Sequence, residues 1–410
     1  MGAPRDTMSA GPAAPAVHRG RAMLRVLGTS VSLIEPIRRR CEDDLGIDVE
    51  FIVEDGKNAQ RIAALHPETF DIYDQWFHNI DLVWPARSMQ PVRLDRIERW
   101  DEVNDLPKLG RIDEGAAPAP GGNPAQRLYV QPNGELASLP TDEISMLPTV
   151  HNADSFAVAA DDPQAERPDA ARSWASLLAP RFEGRVSVQS DAAIGLVDLI
   201  LAARAAGWAE FADPGNLTLE EIDYLLGRLV HLRRRGHFAE FWTTEAEASA
   251  LLGARRVSVS SMWWQGAIAL RRRGIAVRMA DPAEGFRGWY GGLALSRALN
   301  GRQRDVAYAY LNWWLDGYAG AMMTRNNAHI SNPGRARAHL RSAEWDYWYA
   351  GLPAREDLRC AQGRVIVRRG DRYPGGSYTD RMRRIAMWNV VMDEHNYLVR
   401  RWNKLLNPKG

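Results

Sequence analysis

Four large aromatic rings occur as two adjacent pairs, Trp263–Trp264 and Trp289–Tyr290, at the two ends of the stretch SVSSMWWQGAIALRRRGIAVRMADPAEGFRGWY. Such rings offer wide contact area and a π-face that attracts an apolar or cationic group. Three carboxylates, Asp74, Asp154 and Asp191, fall where predicted strands end or helices begin, and each could pair with a cation. Thr29, Ser30, Gln75, Trp76, His151 and Asn152 occupy comparable positions and could orient or enclose a small molecule. Together these residues point to non-covalent capture of a ligand rather than to bond making. Taken singly, each ring is better explained as core packing, and Asp191 is explained as a helix cap.

The elements that must position these residues alternate. Met23–Gly28 reads as a strand, Leu33–Leu45 as a helix, Asp48–Val53 as a strand, Asn58–Leu65 as a helix and Phe70–Tyr73 as a strand. That order predicts a parallel sheet with crossover helices, and ligands of such sheets lie beyond the carboxyl ends of the strands. Residues 107–135 are rich in Gly, Pro and Ala and read as a surface excursion. Thr141–Asp154 reads as a loop, with Ser155–Ala159 resuming a strand. Ser173 is a plausible cap for a short helix, SWASLLAP. A strand over Gly184–Gln189 leads to the helix Ala192–Ala206 behind Asp191. Thr218 and Glu221 form a capping box for a helix over Leu219–Arg235. In the opening stretch, Trp263–Trp264 stand where a strand turns into the helix Gln265–Arg273, and Trp289–Tyr290 follow a loop. Gly292–Leu295 is a further strand. Thr379–Leu406 is amphipathic, with Met382, Ile385, Trp388, Met392, Leu398, Trp402 and Leu405 on one face, and predicts one bent helix or two.

With 410 residues the chain has room for about two domains. Its 45% hydrophobic and 25% charged residues are ordinary globular values. The net charge of +1 gives no electrostatic footprint for a nucleic acid or an acidic membrane. Basic residues are almost all Arg, the lysines being Lys57, Lys108, Lys404 and Lys409. The first twenty-one residues are rich in Ala, Pro and Gly and read as a disordered lead; no secretory signal is visible in them. Of the two cysteines, Cys41 falls on the apolar face of a predicted helix and is expected to be a buried thiol; the spacing to Cys360 leaves pairing open.

Local signatures of catalysis are missing: there is no P-loop, no G-x-G-x-x-G after the first strand, no H-E-x-x-H, no C-x-x-C and no G-x-S-x-G. Neither cofactor nor metal is implied.

In order along the chain, the segments GTS, GIDVEFIVED, FDIYDQ, SWASLLAPRFEGRVSVQSDAA, MWWQGAIALRRRG, GWYGGLALS, AYAYLNWWL and ISNPGRA resemble the type II periplasmic solute-binding proteins of ABC importers, in the spermidine/putrescine-binding branch. The resemblance runs from about Met23 to the C-terminus. It implies an α/β, two-lobed periplasmic-binding-protein-like fold (type II) with the ligand in the interlobe cleft. The lobes expected are residues 22–140 plus 290–332 and residues 141–289 plus 333–410, after a lead over 1–21. It also implies a non-enzymatic, periplasmic, monomeric protein that docks with importer membrane subunits.

By the same resemblance, Asp191 matches an acidic ligand-binding residue of the polyamine binders, and Trp264 and Trp289 match the aromatics of their W-N-G and F-W-M-D words. Two departures stand out: Ile194 occupies an expected acidic position, and Gly291 occupies the expected Asp position. Half of the carboxylate cage is therefore absent at its usual places. That argues against a diamine held at both ends and leaves a polyamine, a quaternary amine or an amino acid as ligand classes, with Asp74, Asp142 or Asp154 as replacement carboxylates. The alternatives are an enzyme on the same bilobed fold (thiamine- or pyrimidine-related), for which Cys41 is expected buried and Cys360 lies late, leaving His151 as the one candidate, and a binder of anions or metals.

Overall fold

The computed structural model describes residues 20–165 and 167–407; the lead over residues 1–19 lies outside them. Its framework is a run of eight hydrogen-bonded strands that belongs to two sheets at once. In the first lobe, Met23–Gly28 pairs in parallel with Asp48–Val53 on one side and Ile72–Trp76 on the other. These are the three strands expected from the alternating sequence, and the helices Glu35–Leu45 and Gly56–Leu65 cross between them. In the second lobe, Val186–Gln189 pairs in parallel with Phe238–Trp242 and Val259–Met262. The helices Ala192–Ala205 and Leu219–Arg234 pack here around a second core that includes Trp174, Phe182, Leu226 and Trp402.

Two long strands join the sheets. Leu147–Ala159 is thirteen residues long and buried throughout. Its first part pairs antiparallel with Phe286–Ser296, and its last part pairs with Val259–Met262 and Val277–Met279 of the second lobe. Phe286–Ser296, also buried along its whole length, pairs antiparallel with Ile72–Trp76 of the first lobe and in parallel with Ile385–Trp388. The loop expected over Thr141–Asp154 is thus mostly strand. Thr149, His151, Asn152 and Asp154 are polar yet almost wholly buried, and a strand covered on both faces shows no alternation to reveal it. Trp289 and Tyr290 accordingly sit inside a strand rather than after a loop.

The C-terminal segment also differs from the expected packing helix. It forms a short helix, Tyr378–Arg383, the strand Ile385–Trp388, and then the helix His395–Leu406. The last helix lies on the second lobe, where the Trp402 indole N–H donates to the Ser190 carbonyl at 2.7 Å. Cys41 and Cys360 are both buried free thiols.

The excursion through residues 110–127 leaves the first lobe and reaches across to the second. The N–H of Trp388 donates to the Pro120 carbonyl at 2.9 Å. A Cβ on Gly215, in the turn before the Leu219–Arg234 helix, would stand 2.2 Å from the Gly121 nitrogen, so backbone meets backbone there.

One ion pair ties the crossing strands to the second lobe. Arg287 Nε donates to Asp198 Oδ1 at 2.7 Å, and both side chains are almost completely excluded from water. Asp198 lies on the Ala192–Ala205 helix, and Arg287 also donates to Asn389 Oδ1 at 3.0 Å. Removing one partner strands a buried charge. Asp198→Ala is expected to lower unfolding stability by about 3–5 kcal/mol, measured by urea denaturation; a loss below about 1 kcal/mol would show that water reaches Arg287.

Candidate functional site

Where the two lobes face each other, a slot is lined by Val31, Trp76, Asp154, Ile194, Trp263, Gln265, Trp289 and Asn389. It encloses about 300 Å³ of empty space, but the centre of a water-sized sphere can move through only about 20 Å³ of it. The walls are therefore closed down on a narrow gap.

Each wall comes from a different element. The turn after the first strand presents Val31, and the end of Ile72–Trp76 presents Trp76. Ile194 sits in the first turn of the Ala192–Ala205 helix. Trp263 caps the helix Trp264–Arg272 and meets Trp242 edge-on, with ring centroids 5.5 Å apart. The two crossing strands supply Asp154 and Trp289, and Asn389 follows the third strand that crosses back.

Asp154 is the chemical centre. It is 1% exposed. Its Oδ2 accepts the Trp289 indole N–H at 2.7 Å, and its Oδ1 is buried without a partner. Burial pushes the Asp154 carboxyl up to about 7; the Arg287 charge and the Trp289 N–H pull against that, and Asp198 adds to it. A second carboxylate stands behind the first. Glu245, at the start of the helix Glu245–Gly253, lies close to Gly266 and has Oε1 buried without a partner. Burial, with the nearby Asp154, raises Glu245 to about 8. A carboxylate held partly neutral beside three indole rings has the chemistry to meet an ammonium-bearing group, while Glu245 stands outside the slot's lining.

Four of the sequence-predicted residues meet in the slot: Trp76, Asp154, Trp263 and Trp289. The others do not line it. Trp264, one residue along from Trp263, turns into the interior and stacks on Tyr373 with centroids 4.7 Å apart. Tyr290 is stacked on His151 at 4.5 Å, and its hydroxyl pairs with Ser331. His151 Nε2 is bound to the Tyr378 hydroxyl at 2.7 Å, and burial with the Arg381 charge lowers the ring to about 3, so it is neutral. Asn152 donates to the Asn327 carbonyl. Gln75 accepts from Asn79 at 3.3 Å. Asp74 is buried beneath the turn after the first strand, raised to about 7 by desolvation against a hydrogen bond from Ser32. Thr29 is buried in that turn and Ser30 is exposed; their role is to carry Val31 to the slot.

Asp191 lines a different, wider pocket at the cleft mouth, together with Lys57, Asn79, His395, Trp402 and Asn403. On the same water-sized measure this pocket holds about 290 Å³. Asp191 there accepts the Ala193 N–H at 2.9 Å, as a helix cap does. The narrower slot remains the better candidate, because only it combines an unpartnered buried carboxylate with converging aromatic rings. Sequence reasoning did not find Val31, Gln265, Asn389 or Glu245 as site residues, and it noted Ile194 only as a lost acid. Glu245 follows Thr244 as an ordinary first-turn acid would, so nothing local marks it as buried.

No protein-family model matches the chain, and no curated protein matches it. Solved structures do match. The PotD spermidine/putrescine substrate-binding protein of Streptococcus pneumoniae aligns over 94% of this chain and 100% of its own, with a TM-score of 0.60 at 11% identity. An ABC-transporter substrate-binding protein from Bradyrhizobium japonicum aligns over 94% and 100%, with a TM-score of 0.60 at 12% identity. AgtB of Agrobacterium tumefaciens, solved with agropinic acid, aligns over 94% and 98%, with a TM-score of 0.60 at 11% identity. The chain therefore has the two-lobed α/β fold of ABC-transporter substrate-binding proteins. Among the described residues no helix is long and apolar enough to cross a membrane.

An ammonium binds the ionised form of Asp154, so the bound state lowers a carboxyl that burial holds near 7 in the free protein. Binding releases a proton below that pH. Affinity for an amine is expected to rise between pH 6 and pH 8 and to fall toward tenfold per unit below about 7, read by titration calorimetry. A flat profile over that range would remove Asp154 from the contact. Asp154→Asn should abolish the pH dependence and weaken binding by about 3 kcal/mol.

Proposed function

We propose that this protein is the solute-binding component of an ABC importer and captures a small organic ligand through an ammonium group in the interlobe slot. The observation that carries the reading is the unpartnered Oδ1 of Asp154, buried among Trp76, Trp263 and Trp289. A cation there gains a carboxylate and π-faces in a narrow site with little room for water. Fold likeness supports the transport role: the neighbours named above are substrate-binding proteins, one described as a spermidine/putrescine binder and another solved with agropinic acid. In this reading the protein works in the periplasm as a monomer, closes its lobes over the ligand and docks on membrane subunits. The lobes are residues 22–140 with 290–332 and 141–289 with 333–410, and the chain changes over within or beside the crossing strands.

The alternatives receive less support. An enzyme on this fold needs a nucleophile or base in the cleft. The slot's lining residues include no Cys, Ser, Thr or His; burial raises the Cys41 thiol far above its ordinary range, and His151 is locked to Tyr378. An anion would face Asp154 and Glu245. Among the described residues no group of three or more His, Cys, Asp or Glu is placed to hold a metal ion.

A thermal-shift screen of the purified protein against polyamines, quaternary amines, amino acids, small carboxylates, sulfate and metal salts tests the reading. A ligand at 100 times its Kd adds about 2.7 kcal/mol, a rise of several degrees in Tm. Amine-bearing hits are expected, and Trp289→Ala should weaken them by more than about 1 kcal/mol, the scale of a buried aromatic anchor. Stabilisation by sulfate, carboxylates or metals alone would overturn it.

A further inference from the structure

The charges beneath the slot do not match a ligand with two ammonium groups. Arg381, on the helix Tyr378–Arg383, is 0% exposed. Its guanidinium lies over the Tyr373 ring, 3.8 Å from the centroid. Its Nη2 is shared between His329 Nε2 at 3.0 Å and the Trp348 carbonyl at 3.1 Å, while Nε and Nη1 have no partner. No carboxylate of the described residues makes an ion pair with it, whereas the equally buried Arg287 has Asp198. An arginine keeps its proton even when burial works against it. Arg381 is thus a full positive charge in the interior, flanked by the neutral rings of His151, His329, Tyr349, Tyr373 and Tyr378.

The field of that charge reaches the slot. Both Arg381 and Arg287 pull on Asp154, and Arg287 stands directly opposite Asp154 in the register of the crossing strands. Arg287 and Asp198 cancel each other. Arg381 is then the one fully buried guanidinium among the described residues without a carboxylate partner. A dication would place its second ammonium in the field of an uncompensated guanidinium. The slot wall also offers a donor that an ammonium cannot use: Gln265 Nε2, buried without a partner in the first turn of the helix Trp264–Arg272, at that helix's positive end.

We propose that the ligand is a zwitterion of the amino-acid type, its ammonium on Asp154 Oδ1 and its carboxylate received by the Gln265 amide on a floor made less negative by Arg381. The proposal rests on the ammonium-binding reading of the slot and narrows it, against the diamines bound by a structurally similar protein.

Matched pairs of probes test it on the full chain by titration calorimetry at pH 8: putrescine against 4-aminobutanoate, and cadaverine against 5-aminopentanoate. Each pair keeps the chain length and one ammonium and changes the other end from ammonium to carboxylate. The zwitterion is expected to bind at least tenfold tighter in at least one pair. Arg381→Met should shift the preference toward the diamine by about tenfold, a change that a merely structural role, weakening all four probes alike, would not produce. Should that variant fail to fold, the ranking on the wild-type protein decides alone. Diamines binding as tightly as their zwitterionic partners in both pairs overturn the inference and leave the ammonium site standing. Binding of none of the four at millimolar concentration, with a quaternary amine or longer polyamine bound, likewise overturns the inference and leaves the ammonium site standing.

Discussion

Everything in the slot depends on charges kept out of water inside two crossing strands. Arg287 and Asp154 stand opposite one another in the paired strands, and Asp198 reaches Arg287 from the second-lobe helix. Ion pairs in such surroundings contribute little net stability over apolar packing, yet breaking one is costly. Their effect here is on geometry and electrostatics. The Arg287–Asp198 pair fixes the helix whose first turn presents Ile194, Arg287 holds Asn389 in the wall, and the same guanidinium tempers a carboxylate that burial would otherwise neutralise further.

The aromatic walls and the carboxylate act as a unit. Trp289 is both a wall and the donor that fixes Asp154 Oδ2, leaving Oδ1 as the carboxylate's unpartnered oxygen. Trp263 is braced by Trp242, and Trp264 by Tyr373. Tyr373 also lies under Arg381 and donates to Asn327 at 2.8 Å. The C-terminal segment that supplies Tyr373, Tyr378 and Arg381 is therefore part of the slot's foundation. A site built this way is positioned by buried neighbours before any ligand arrives, which reduces the ordering cost of binding.

The parallel strands and their crossover helices were legible because alternating apolar residues, Gly stops and Thr or Asp caps all agreed, whereas the two-lobed plan came from the resemblance of the ordered segments. The site was legible in part. Trp76, Trp263, Trp289 and Asp154 were visible as aromatic or acidic residues near element ends. Trp264 was indistinguishable from Trp263, since one residue at a strand-to-helix junction reverses which ring faces the cleft. Asp191 looked like a ligand residue, but as a cap its carboxylate serves the Ala193 N–H at the mouth. Glu245 and Arg381 left no local trace: a first-turn acid and one arginine among many become significant only when tertiary packing buries them. The strand Leu147–Ala159 was hidden by its own polar residues, and Ile385–Trp388 by an apolar spacing that suits a helix equally well.

The contact between Gly121 and Gly215 has a practical side. Two loops from different lobes touch through bare backbone, beside the Trp388–Asn389 segment that ends in the slot wall and without side chains of their own. Such a spot reports lobe separation while taking no part in ligand chemistry. Residues flanking it could carry a pair of fluorophores whose energy transfer follows opening and closing, turning the protein into a reagentless sensor for its own solute.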